Sequence, residues 1–358
     1  MKKIVLYGHG GSYNHGSEGI VKSTIAVLRK YIPDCKIVLS SHFPEQDIEL
    51  GVDADEFVGR DMSGKTDEEI YSPTINKMEN ADACIHIGGD NYCHQNWRRW
   101  AMLHYKAIES GAKSVLWSAS IDNSMITDEM LEAFSTHTVI TARDSISHEI
   151  FIRSGLKNIV RVADVDFTLG TIPYKINVDN YLVINLSPVV FDNNKRALAS
   201  FGFFIDYLLA NTDLNIVFIP YVIQTASNDY EPLKLIYRKN NERLLLIDGK
   251  LKAEQYKHIV SNAKFCVTSR NHLAIAAYSS YVPVMIIDFA STCARMSSDL
   301  NMLDYVLRLD NIVNEHSVVD LFLKLQKDES KIRAGLLREV PELIKIAINE
   351  NVIKSIIS

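Results

Sequence analysis

Ser269, Arg270, Asn271 and His272 are the residues of this chain best arranged to do chemistry. They follow an apolar run, Lys264 to Thr268, that reads as a buried strand. They precede His272 to Ser280, where Leu273, Ala274, Ala276 and Ala277 read as a helix. In an open parallel α/β sheet, ligands bind beyond the carboxyl ends of the strands, and the free N–H groups of a first helical turn favour an anion. A guanidinium and an imidazole two residues apart at such a junction suit a small phosphate or carboxylate. The structural alternative is that Arg270 pairs with an internal acid and His272 caps its own helix.

Other strand ends also deliver polar groups. The strand Lys3 to Tyr7 runs into a glycine-rich loop, residues 8–16, ahead of a helix from about Glu18 to Tyr31. Glycines there let backbone approach a ligand closely, and Asn14, His15 and Glu18 can hydrogen-bond sugar hydroxyls, unless the glycines serve only the turn. No GxGxxG opens the helix, so this is not the dinucleotide fingerprint. The strand Asp82 to Ile87 delivers Gly88, Gly89, Asp90, Asn91 and Tyr92. In the next helix, Trp97 to Ser110, the residues Trp97, Arg98, Arg99 and Trp100 either line a groove or, for the arginine pair, form solvated surface. The strand Thr138 to Ala142 presents Arg143, Asp144 and Ser145 at its end.

These loops need a scaffold of alternating strands and helices, and the composition allows one. With 358 residues, 47% hydrophobic and 23% charged, the chain is globular and long enough for two domains. The net charge of −6, from 38 basic and 44 acidic residues, argues against a broad nucleic-acid surface but leaves room for a local basic pocket. No apolar run reaches the roughly 18–20 residues of a membrane span, and Met1 to Gly8 lacks the pattern of a signal peptide. Five scattered cysteines without a CxxC pair fit a reduced, cytoplasmic setting. No Cys/His spacing of a zinc site occurs, and no metal or cofactor is expected.

The alternation predicts two doubly wound, Rossmann-like α/β domains facing across a cleft. The stretch Pro173 to Asn180 reads as the linker between them. The expected division is residues 1–175, an N-terminal domain, and residues 176–330, a C-terminal domain. Residues 331–358 form a C-terminal helix that can pack back on the first domain.

The chain resembles the polysaccharide pyruvyltransferase family. The resemblance rests on Asn14 to Glu18, on Ile87 to Asp90, on Ala142 to Ser145 with Ser147 and Gly155, on Asp164 to Phe167, and on Thr268 to His272, in the family's order. Two departures stand out. Asn271 occupies the position of a leucine between the arginine and histidine, and Val165 the position of a proline after the aspartate. The resemblance implies a fold similar to B-type glycosyltransferases. It also implies transfer of the enolpyruvyl carbons of phosphoenolpyruvate onto a saccharide as a cyclic ketal, in the synthesis of cell-surface polysaccharides such as capsule or exopolysaccharide.

For that reaction Arg143 and Arg270 are expected to hold the donor's phosphate and carboxylate, because arginine offers bidentate bonds to both. Ser269, Asn271 and His272 complete the donor site. His272 either transfers a proton or hydrogen-bonds the departing phosphate; Glu18 or Asp90 is the alternative base. Asn14, Glu18, Asp90, Asn91 and Tyr92 are expected to meet the acceptor's hydroxyls, with Trp97 stacking on a sugar face. A lipid-linked acceptor would bring the protein to the inner face of the membrane. Two rivals remain: a B-type glycosyltransferase using a nucleotide sugar, and a non-catalytic saccharide-binding homologue.

Overall fold

Parallel strands covered on both faces read as near-continuous apolar runs rather than alternating ones, and the short hydrophobic runs of this chain fold accordingly. The computed structural model describes residues 1–192, 194–290 and 292–357. It divides into two compact units.

The first unit comprises Met1–Ser12, Ser17–Thr168 and the chain from Leu343 onward. Its strands are β1 (Lys2–His9), β2 (Cys35–Ser41), β3 (Glu56–Val58), β4 (Ala83–His86), β5 (Lys113–Ala119), β6 (Val139–Ala142) and β7 (Ile159–Arg161). They form one seven-stranded sheet in the order β3-β2-β1-β4-β5-β6-β7, every neighbour parallel. Side chains alternate across it with the period of two that a strand imposes. Val5, Tyr7, Val38 and Cys84 enter one core, and Ile4, Leu6, Ile37, Leu39 and Ile85 the other. Val352, Ile353 and Ile356 of the terminal helix Glu350–Ile357 join the second of these cores. The strand order reverses between β1 and β4. That reversal opens a crevice at their carboxyl ends, where such sheets take ligands.

The second unit comprises Tyr13–Gly16 and Leu169–Glu342. Its strands are β8 (Tyr181–Asn185), β9 (Asn215–Phe218), β10 (Ile223–Gln224), β11 (Ser227–Asn228), β12 (Leu244–Leu246), β13 (Phe265–Thr268), β14 (Val284–Asp288) and β15 (Val306–Arg308). Six make a parallel sheet in the order β12-β9-β8-β13-β14-β15, and β10 and β11 make a small antiparallel pair. Here the order reverses between β8 and β13, so the turn after β13 lies at the crevice.

The main boundary between the units falls between Thr168 and Leu169, and just after it Ile172 N donates to Glu254 O at 3.1 Å. Between β3 and β4 lie two short helices, Asp67–Ile70 and Ser72–Met78, separate because Pro73 starts the second. The strand β3 is a three-residue edge strand whose Glu56 pairs with Lys36 at 3.1 Å, so its sequence looks polar. Among the described residues no helix is long and apolar enough to cross a membrane.

Candidate active site

In the second unit, β13 is buried along its whole length and ends at Thr268. Thr268 Oγ1 accepts a hydrogen bond from Arg270 N at 2.9 Å and donates to Asn185 Oδ1 at 3.0 Å, which fixes the turn. Arg270 then caps the helix Asn271–Tyr278 with extended backbone. The first intrahelical bond is Ala274 N to Arg270 O, so the preceding N–H groups have no intrahelical partner.

The Arg270 guanidinium is held by a buried acid. Nη2 donates to Asp229 Oδ1 at 2.6 Å and to Ser227 Oγ at 2.8 Å, and Nε donates to Asp229 Oδ1 at 3.2 Å. The structural alternative for Arg270 is therefore realised, yet it uses only part of the side chain. Nη1 has no hydrogen bond among the described residues, and the side chain is 19% exposed. Asp229 is itself saturated, accepting also from Asn185 Nδ2, Tyr221 N and Val222 N at 2.8, 3.1 and 3.0 Å. A guanidinium oriented in this way, with two N–H groups unspent, can bind an oxyanion without reorganising.

His272 is half-buried in the first turn of this helix. Its ring lies against Gly16: a Cβ on Gly16 would meet His272 Nδ1 at 2.5 Å. Glycine is required there because any larger residue would displace the imidazole. Asn271 Oδ1 is buried without a hydrogen-bond partner among the described residues. Ser269 Oγ accepts from Ser187 N at 2.6 Å, so its oxygen is committed to the turn after β8.

In the first unit, Arg143 follows β6 and is 8% exposed. Its Nε donates to Ser120 Oγ at 2.7 Å and its Nη1 to Asp164 Oδ2 at 3.0 Å. Nη2 has no hydrogen bond among the described residues. Burial works against the charge, but the carboxylates of Asp164, Asp90 and Asp144 more than offset it and hold the pKa above its usual value. The loop Gly88–Gly89 passes directly over the guanidinium: a Cβ at Gly89, whose φ is +30°, would lie 2.6 Å from Nη1. Asp144 caps the helix Ser145–Arg153 through Ser147 N at 2.7 Å.

The acceptor candidates divide. Asp90 is 51% exposed, its nearest ion partner being His94 at 4.0 Å. Asn91 Nδ2 donates to Gly8 O at 2.9 Å, tying together the loops after β1 and β4. Asn14 Oδ1 accepts from Gly16 N at 3.1 Å. His15 is buried between Tyr221 and Tyr256, with Nε2 3.3 Å from Gly249 O. Glu18 is fully buried and accepts from Lys22 Nζ at 2.6 Å, so it is an internal ion pair rather than an open base. Tyr92 and Trp97 are corrections as well. At 3% and 4% exposure both belong to the core, Tyr92 packing on His86 and Phe134, so neither ring is presented to a sugar. Beside the Gly88–Gly89 loop they look like ligand contacts, but burial of their area outweighs that.

No sequence signal points to Asp229, which lies 41 residues before Arg270 in a loop of no recognisable pattern. None points to Asp47 either, which accepts from both His9 Nε2 at 2.8 Å and Ser12 Oγ at 2.5 Å in the first unit. Among the described residues no group of three His, Cys, Asp or Glu is placed to hold a metal ion.

Comparison with solved structures shows the fold. A UDP-N-acetylglucosamine 2-epimerase structure from Listeria monocytogenes superposes with a TM-score of 0.69 at 14% identity, covering 98% of this chain and 94% of that one. A UDP-GlcNAc 2-epimerase from Neisseria meningitidis, solved with UDP-GlcNAc, gives 0.67 at 12%, covering 99% of each. A ugt transferase from Siraitia grosvenorii, solved with UDP, gives 0.63 at 9%, covering 100% of each. These likenesses place both units in the B-type glycosyltransferase-like class and, at such identities, carry no substrate with them. No curated protein matches the chain in sequence. The family model for polysaccharide pyruvyl transferase matches residues 14–291, a span that holds Arg143, Asp229, Arg270 and His272. The chain belongs to the polysaccharide pyruvyl transferase family.

Proposed function

We propose that this protein transfers the enolpyruvyl carbons of phosphoenolpyruvate to a saccharide as a pyruvate ketal, releasing phosphate, in the synthesis of cell-surface polysaccharide. The observation that carries this reading is Arg270: held by Asp229 yet with Nη1 unspent, beside His272, at the strand reversal of the second sheet. Family membership supports it.

Arg270 and the N–H groups after it hold the donor's phosphate. The donor's CH₂ gains a proton, a sugar hydroxyl adds to the neighbouring carbon, and the bond from that carbon to the phosphate oxygen breaks. A second hydroxyl then closes the ring. One hydroxyl proton replaces that given to the CH₂, and the other leaves with phosphate. His272 supplies or receives a proton at the donor, or stabilises the departing phosphate by a hydrogen bond. Asp90, the exposed carboxylate after β4, is the open acid or base of the first unit. The reaction takes place in the cytoplasm, at the inner face of the membrane where the acceptor is lipid-linked.

Nucleotide-sugar transfer is the rival that the fold allows, since two of the similar structures contain UDP-GlcNAc or UDP. The test is phosphate release when phosphoenolpyruvate is mixed with a panel of acceptor saccharides, beside UDP and GDP release from nucleotide sugars. Phosphate release dependent on the acceptor supports the proposal. Nucleotide release alone supports the rival, and release of neither supports a binding-only homologue.

A further inference from the structure

The first unit gathers cationic side chains for which it supplies little acid. Arg60 follows β3, His42 follows β2, and Arg99 lies in the first turn of the helix Arg98–Glu109 that follows β4. All three stand on the carboxyl side of the parallel sheet, where ligands are taken. The Arg60 guanidinium lies 5.9 Å from the centre of the Phe43 ring. It has no carboxylate partner among the described residues, and its Nε is buried without a hydrogen bond. The Nε of Arg99 is buried and unbonded in the same way. Its one acid, Asp67, is 3.7 Å from Nη2 and 43% exposed.

His42 and Tyr71 lie near both arginines. His42 Nε2 is 2.8 Å from the Tyr71 hydroxyl, and the His42 ring stacks on Trp100. Both guanidiniums act electrostatically on both groups. Burial, and then the charges of Arg60, His9 and Arg99, push the His42 pKa down to about 3, so that ring adds no charge near neutrality. The buried carboxylate at this end of the sheet, Asp47, already accepts from His9 and Ser12. Two guanidiniums with desolvated, unbonded Nε groups are costly unless an anion meets them, and planar arginine donors match phosphate and carboxylate oxygens.

We propose that Arg60 and Arg99, backed by Phe43, Tyr71 and Trp100, bind an oxyanion borne by the saccharide acceptor, either a phosphate on its carrier or the carboxylate of an acidic sugar. As an acceptor site it rests on the pyruvyl-transfer reading; as an anion site it does not. The experiment is calorimetry of the full chain without phosphoenolpyruvate, titrating glucose 1-phosphate, glucuronate and glucose into the wild type, R60Q, R99Q and R60K. At least one charged probe is expected to bind tenfold or more tightly than glucose, with affinity falling about tenfold in R60Q and in R99Q and less in R60K. Preference for glucose 1-phosphate names a phosphate-bearing acceptor, and preference for glucuronate an acidic sugar. Equal binding of charged and neutral probes overturns the proposal. So does charged-probe affinity that persists in R60Q and R99Q with native circular dichroism, because the anion then sits elsewhere. No turnover is read, so failure of pyruvyl transfer would leave this result standing.

Discussion

Asp229→Asn is the sharpest perturbation of the donor side. Asp229 is completely buried, and its oxygens accept from Arg270, Asn185 and two backbone N–H groups. Asparagine keeps the shape but removes the charge and turns an NH₂ toward donors that need an acceptor. Breaking a buried ion pair by removing one partner costs about 3–5 kcal/mol. The 19% exposure of Arg270 brings that to the lower end, while an orphaned backbone N–H adds about 1–3 kcal/mol. A total near 4 kcal/mol, at roughly 2–4 °C per kcal/mol for a unit of this size, lowers the melting point of the second unit by about 8–16 °C. The three tryptophans, at 97, 100 and 117, all lie in the first unit. Differential scanning calorimetry rather than tryptophan fluorescence is therefore the assay, with phosphoenolpyruvate affinity measured below the transition. A loss under about 1 kcal/mol with unchanged donor affinity would refute the claim that Asp229 anchors Arg270.

Two further outcomes follow from the packing. Gly16→Ala, which must push the His272 ring aside, is expected to cost about 1–3 kcal/mol through overpacking and to cut phosphate release more than it weakens donor binding; full activity would detach His272 from the reaction. Acid should loosen the first unit: burial lowers the pKa of His42 and His86 to about 3 and of His104 to about 4. Their unfolded forms protonate near 6.5 while the folded forms resist, so stability is full above pH 6.5 and declines as pH falls toward 4, by up to about 1.4 kcal/mol per pH unit for each ring. The unfolding free energy from urea titrations followed by tryptophan fluorescence should fall by at least about 2 kcal/mol between pH 7 and pH 5, and a flat profile would contradict the burial argument.

The reach of the sequence followed the range of the interactions. Thr268 to His272 was legible because strand, turn and helix are contiguous and each leaves a local pattern. The two sheets were legible for the same reason, except where an edge strand as short as β3 carries a glutamate at its head. Asp229 was illegible because its partners come from β8, from the loop after β9 and from the end of β13, and nothing in its neighbours announces a buried acid. Tyr92 and Trp97 were misread because proximity to a glycine loop says nothing about which way a ring turns. Arg99 was weighed as solvated surface, and only the burial of its Nε set it apart.

The central claim is that Arg270 grips a phosphorylated three-carbon acid. Titration calorimetry of phosphoenolpyruvate against the wild type and Arg270→Ala tests it most directly. Saturable binding in the wild type, lost in the variant while circular dichroism stays native, is the predicted result. Equal affinity in both, or no binding to the wild type at all, would contradict the account.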